Sequence, residues 1–224
     1  MPRPFQIVCL LVFSSILFSS LLAGSQTGAQ APAVVAFTLD FPGSQPEHYS
    51  IRVQSDGSAR YQSSGRLPHS DESDSFDLDV TLAPETRQKI FELAAKAGYF
   101  QKDADSHRKR LAFTGQKTLC YKDAQRSGEA TYNYSPIPAV QELTSLMQSL
   151  SVTLEFGHRL EYDHHYQKLA LDEELKRMEE IARTNQLADI TAIQPILDRI
   201  IADPSVINVT RARAQRLLEC AGAH

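Results

Sequence analysis

The chain has 224 residues, 42% hydrophobic and 22% charged, a composition that excludes disordered, collagenous and multi-span membrane classes. Its 27 Asp and Glu against 23 Lys and Arg give a net charge of -4, so no chain-wide basic footprint exists for a nucleic-acid partner. Three cysteines with no Cys-x-x-Cys pair exclude a disulfide-dense mini-scaffold and give no sign of a zinc ribbon.

Arg3 precedes an apolar run over residues 5–22, interrupted by Gln6 and by Ser14, Ser15, Ser19 and Ser20, and small or polar residues fill 23–31. This order of segments predicts a secretory signal peptide over residues 1–31. The serines dilute the run, and no basic stop-transfer cluster follows, so no stable membrane anchor is expected after cleavage. Ala29-Gln30-Ala31 has the small-x-small form of a cleavage site, although Pro32 behind it favours a cut a few residues earlier. Ser25 stands where a lipoprotein box requires Cys. The mature chain then carries 22 basic and 27 acidic residues, a net charge of -5, and is expected in the periplasm or outside the cell.

Val35, Phe37, Leu39 and Phe41 share one parity, and Tyr49, Ile51 and Val53 repeat it, which predicts two half-buried strands. Asp56-Gly57 then predicts a type I′ hairpin turn, with Ala59 and Tyr61 on the returning strand. Residues 63–75, rich in Ser, Gly, Pro and acids, read as a loop. Phe76, Leu78 and Val80 alternate with Asp77, Asp79 and Thr81 as a strand with one wet face. Pro84, Glu85, Ile90, Leu93, Ala94 and the terminating Gly98 predict a helix over 84–97 that covers the apolar sheet face. Further strands are expected at 111–113, 117–122 and 130–134, and a helix starting at Pro138 with Val140, Leu143, Met147 and Leu150 on one stripe.

Beyond residue 151 the pattern is helical. A long helix is expected over 154–186, a second begun or kinked at Pro195, and a last one capped by Thr210. The acidic and basic run over 172–180 reads as a solvated face with pairs such as Glu173 with Arg177. The fold class is therefore α+β: an antiparallel sheet packed by one or two helices over 33–151, followed by a helical C-terminal segment over 152–224.

Catalytic signatures are missing: no phosphate loop, no Gly-x-Ser-x-Gly elbow and no His-Glu-x-x-His occur. Asp103 and Asp105 begin like a calcium loop, but Arg108 stands where Gly must turn and Thr114 where Glu must close the site. Asp71, Glu72, Asp74, Asp77 and Asp79 form a denser acidic group, for which a weak surface calcium site is the alternative to a solvated edge. In the long helix, the spacing of His158, Glu161 and His165 places all three on one side, with His164 adjacent, and imidazole plus carboxylate is a transition-metal ligand set. The competing reading makes His165 a packing residue on a stripe with Tyr162 and Leu169. Tyr99, Phe100, Tyr121, Tyr132 and Tyr134 read as sheet packing or as the lining of a ligand groove. No cofactor is expected. Cys120 and Cys220 are the two cysteines left once Cys9 departs with the leader, and they are a disulfide candidate in an oxidising compartment. Cys120 has the parity opposite to Leu119 and Tyr121, so the bridge requires the C-terminal helix to return to that face.

Asp56-Gly57 with Tyr61, the helix end Leu93-Ala94-Ala95-Lys96-Ala97-Gly98-Tyr99-Phe100, and Glu155-Phe156-Gly157-His158-Arg159-Leu160-Glu161-Tyr162 together resemble exported proteins of environmental Gram-negative bacteria. The first two are similar to a bacterial domain of unknown function built of strands and an Ala-rich helix, and the third to a helical tail that a subset carries. The resemblance implies an exported setting and brings no activity with it. The functional expectation is a non-catalytic interaction or envelope-associated protein with a protein or envelope partner. The alternative is a hydrolase or metal-dependent enzyme built on His158, Glu161 and His165. Intact mass of the protein from its host checks the leader: the expected amino terminus lies after residue 23 to 31, and an unprocessed Met1 in the membrane fraction contradicts it.

Overall fold

Period-two alternation in the sequence is realised as six strands in the computed structural model, which describes residues 32–66 and 73–222. The expected leader and the acids Asp71 and Glu72 lie outside the described residues. The strands are β1 (Val34–Asp40), β2 (His48–Gln54), β3 (Ser58–Arg66), β4 (Ser73–Thr81), β5 (Gln116–Lys122) and β6 (Ser127–Tyr132). They form one sheet in the order β4-β3-β2-β1-β5-β6, each neighbouring pair antiparallel. Register sorts the side chains cleanly. Leu78, Tyr61, Ile51, Phe37, Leu119 and Ala130 form one transverse row on the inner face. Asp79, Arg60, Arg52, Ala36, Cys120 and Glu129 form the next row on the outer face. A slip of one residue in any strand would exchange the two rows, so burial of the inner one fixes the pairing.

Two helices cover the inner face. α1 (Pro84–Lys96) buries Ile90, Leu93 and Ala94, and α2 (Pro138–Tyr166) buries Val140, Leu143, Met147, Leu150 and Leu154. Both begin with Pro in the first turn, where its missing N–H removes no helical bond. α3 (Leu171–Arg183), α4 (Gln194–Ala202) and α5 (Asn208–Ala221) follow, α3 and α4 against α2, and α5 against α3 and α4. No helix among the described residues is long and apolar enough to cross a membrane. The fold is α+β, with the sheet first and most of the helix behind it. The outer sheet face is left uncovered by these helices.

Several local expectations need correction. The boundary placed between residues 151 and 152 falls inside α2, which at 29 residues runs unbroken through it, and the chain over Ala31–His224 is one compact unit. Ser149, Ser151 and Thr153 permit this because they sit on a helix whose apolar stripe continues through Leu150, Leu154 and Phe156. The expected helix over 154–186 is instead interrupted between α2 and α3, where the Ala170 N–H donates to the Gln167 carbonyl in a turn. Residues 63–66 and 73–75 belong to β3 and β4 rather than to a loop, and 111–113 is irregular, with Leu111 and Phe113 exposed. The Asp56-Gly57 hairpin is not type I′. The Gly57 N–H closes a turn onto the Gln54 carbonyl and only Gly57 has positive φ, +99°, the pattern of a three-residue loop with a glycine bulge.

Thr210 does not cap the last helix: Ile207 precedes its first turn, and the buried Thr210 hydroxyl donates to Asp172 at 3.2 Å. The 172–180 run is only half solvated. Glu179, 9% exposed, accepts from Arg213 and Arg216 on α5, and Glu174 pairs with Arg159 on α2. Charges that a single helix would leave in water are recruited by helices folding back on it.

The turn after α1 carries the most unusual backbone. Gly98, Tyr99 and Phe100 have φ of +66°, +56° and +59°. Left-handed geometry costs a bulky residue about 1–2 kcal/mol. Burial of the Phe100 ring, 1% exposed, offsets this with about 2–3 kcal/mol. Arg126 holds Tyr99 from the other side, its guanidinium 4.0 Å from the ring centroid. Arg126 is itself fixed by Asp123, whose carboxylate also accepts from the Gln125 and Arg126 N–H groups and the Tyr121 hydroxyl.

Those donors, led by the Gln125 N–H, lower the Asp123 pKa from 3.8 to about 2. The ionised carboxylate is thus favoured by folding, and its contribution is present above pH 3.8 and lost as pH falls through about 2. Asp123→Ala is expected to lower the urea midpoint at pH 7, and the gap between variant and parent to narrow as the pH is taken from about 4 to about 2.

Candidate functional site

β4 is an edge strand, and its inner residues Phe76, Leu78 and Val80 are only half-buried although they continue the core rows of β3. The space beside them is a groove of about 640 Å³. Its far wall is the 3-10 turn Ile190–Ile193 together with the start of α4, through Ile193, Pro195 and Ile196, and α2 closes it with Gly157 and Glu161. The groove is apolar in its depth; Glu161 and Asp198 are its charged walls, while Asp79, whose side chain is on the outer face of β4, borders it at the strand edge. No Lys, Arg or His among the described residues lines it.

The far wall is held by a small set of contacts. Gly157 on α2 lets Ile193 approach so closely that an added Cβ would stand 2.6 Å from the Ile193 Cγ2. Four residues earlier on α2, the fully buried Thr153 hydroxyl donates to the Ala188 carbonyl at 2.7 Å and accepts from the Ala188 N–H at 3.2 Å. Asp189, with φ of +49°, accepts from the Ala83 N–H at 2.8 Å, which ties the wall to the segment leading out of β4. The groove is therefore a preformed consequence of how β4, α2 and the 188–196 segment are pinned to one another.

Beneath the Phe76 end lies a buried polar cluster. The Glu155 Oε1 accepts from the Tyr61 hydroxyl and the Ser63 hydroxyl, each at 2.7 Å, and Tyr61 also contacts Ser151 at 3.0 Å. Burial, followed by the Glu155 charge, pushes the Tyr61 phenol well above its ordinary range; burial does the same to Tyr49. The Tyr61 and Ser63 hydroxyls donate to the carboxylate, and no hydroxyl of the cluster is paired with an imidazole among the described residues. The cluster fixes α2 on the sheet.

The helix residues singled out as metal ligands are dispersed. His158 stacks on Phe76, centroids 3.9 Å apart and planes within 5°. Glu161 pairs with Arg199 of α4, and His165 meets the edge of Tyr166. His164, which the spacing left aside, contacts Asp203 at 3.0 Å beside Lys168. No group of three or more metal-ligating side chains is assembled among the described residues. The stripe that would have packed His165 is not packed: Tyr162 is 52% and Leu169 88% exposed, and Leu169 lies beyond the end of α2.

In the calcium-like segment the carboxylates are consumed locally: Asp103 holds His107 and the Asp105 N–H, and Asp105 holds the His107 and Asn133 N–H groups. Asp77 and Asp79 share the single guanidinium of Arg60. The aromatic centre is mostly core, with Phe100, Tyr121 and Tyr132 buried, Tyr132 pushed up to about 12 by burial, and Tyr134 exposed.

Cys120 and Cys220 are separate thiols. Cys120 faces the outer side of the sheet, as its parity implies, and donates to Glu129 at 3.1 Å; burial, with that bond, pushes its pKa up to about 11. α5, with the exposed Cys220, packs on α3 and α4, in the helical layer on the opposite side of the sheet. The C-terminal helix returns to other helices, and the two thiols are unbridged.

Lys117 is the buried group that the sequence reading missed. It is 5% exposed on the inner side of β5, and burial lowers its pKa. Its ammonium donates to Thr114 O and Oγ1, Gly115 O and Asn133 O at 3.0–3.1 Å. These acceptors occupy it fully, so it staples the loop before β5 to the end of β6. Its place in the alternation of β5, opposite Leu39 and Tyr132, was the available signal.

No protein-family model and no curated protein sequence matches the chain.

Gly157→Ala tests the groove wall. Alanine would gain about 1 kcal/mol in helix propensity, but overpacking against the buried Ile193 costs about 2–3 kcal/mol. A net loss of about 1–2 kcal/mol in urea unfolding is expected, and it should shrink when Ile193→Ala is added to the same chain.

Proposed function

We propose that the mature protein works outside the cytoplasm as a non-catalytic binding protein, associated with a partner of the envelope, and that the groove between β4 and the start of α4 is its binding surface. The observation that carries this reading is the groove itself: a preformed apolar cleft of about 640 Å³ whose charged lining is entirely acidic. Concave apolar surface with a few convergent polar groups is the usual form of a binding site. The leader pattern supplies the compartment. The hydrolase or metalloenzyme alternative draws no support from His158, Glu161 and His165, which are engaged by Phe76, Arg199 and Tyr166 in turn.

Site-specific photo-crosslinking in the exporting host tests the proposal. A benzoylphenylalanine replacing the exposed rim residue Gln194 is expected to give a discrete adduct with another envelope protein, and one replacing Lys176 on the solvated side of α3 is not. Equal labelling from both positions, or no adduct from Gln194, would overturn it.

A further inference from the structure

We infer that the partner of this groove is an extended polypeptide that adds to the free edge of β4 and alternates apolar with cationic side chains. This rests on the binding reading above and names its ligand class. Three observations converge on it.

The first is backbone valence. β3 pairs with one side of β4 only, and among the described residues no strand pairs with the other, so alternate N–H and C=O groups along β4 are unused. A peptide lying beside them gains main-chain hydrogen bonds whatever its sequence. The second is the alternation of β4 itself. Phe76, Leu78 and Val80 point to the groove side, while Asp77 and Asp79 point to the open outer face. Cross-strand neighbours share a face, so an added strand must place every second residue over the apolar groove and the intervening ones beside the two carboxylates. β3 already meets β4 in this way, with Tyr61 opposite Leu78 inside and Arg60 opposite Asp79 outside.

The third is charge. Among the described residues Asp77 and Asp79 have one guanidinium between them, that of Arg60, and Asp198 on the groove rim accepts from the Gln194 amide alone. Glu161 is neutralised by Arg199. The partial charge of about +0.5 at the start of α4 does not balance what remains. The groove side is left negative by Asp198, and on the outer face the two carboxylates of β4 lie nearest the added strand, with Arg60 and Arg52 on the strands behind them.

The same carboxylates exclude the other occupants. A second copy joined edge to edge would set Asp77 and Asp79 against like charges, the usual means by which edge strands resist self-association. A neutral or acidic strand finds the backbone valence but meets that repulsion.

The test uses the purified mature protein and an acetylated, amidated octapeptide of alternating Lys and Val, followed by calorimetry. Saturable binding in the micromolar range that weakens with added salt is expected, with new hydrogen-exchange protection at alternate amides of β4. The Glu and Val counterpart, and the Lys and Val peptide N-methylated at alternate residues, are expected not to bind. Asp79→Asn with Asp198→Asn, at two exposed positions and with folding verified by the urea midpoint, is expected to weaken binding about fivefold to tenfold. Binding unaffected by N-methylation, protection elsewhere than β4, or no binding of the Lys and Val peptide would each overturn strand addition. If the Gln194 crosslink still yields its adduct in that event, the binding reading stands and only the ligand class falls; if both fail, both fall.

Discussion

The whole arrangement depends on one constraint: a six-stranded sheet with a single apolar face must be covered, and α2 covers it with less than its full length. At about 1.5 Å per residue its 29 residues span about 43 Å, more than the sheet requires. The first half buries Val140, Leu143 and Met147 against the strands. The second half carries Thr153, Gly157 and Leu160, which become the foundation for the 188–196 segment and the helices behind it. Sheet and helical tail are one unit because they share this helix.

From that sharing the groove follows without any dedicated element. α1 and α2 lie over the inner face, but β4 at the edge receives the flank of α2 through Gly157, His158 and Glu161, the turn at Ile190–Ile193 and the start of α4. An edge strand with an incompletely covered apolar face is a liability, since its free valences recruit other strands. Here the outward residues of β4 include Asp77 and Asp79, which restrict what can join. The combination of exposed valence and restrictive charge ties packing to recognition in a single strand.

Polar groups inside this fold are used for attachment. Glu155 gathers Tyr61 and Ser63 to hold α2 on β3, Lys117 gathers four oxygens to close the loop before β5, and Glu179 gathers two arginines to dock α5 on α3. Each group is satisfied by partners distant in sequence or by backbone oxygens, which is what makes burial of its charge or dipole tolerable.

Elements governed by local chemistry were legible in the sequence. Alternation gave the strands and which of their faces is wet, Pro84 and Pro138 marked helix starts, and Gly98 marked a helix end, because backbone sterics and periodic burial act over a few residues. The tertiary structure alone decided that α2 passes through residue 151 and that the chain turns at 167–170, where no Pro or Gly marks a break. It also decided that Cys120 and Cys220 lie on opposite sides of the sheet. The helix spacing of His158, Glu161 and His165 was real, but two of the side chains were claimed by residues that only folding brings near, Phe76 from a strand some eighty positions earlier and Arg199 from a later helix, and His165 by its neighbour Tyr166. The groove was invisible for the same reason. Its walls come from β4, α2 and the 188–196 segment, and a cavity belongs to the distances between elements, which periodicity along one chain does not encode.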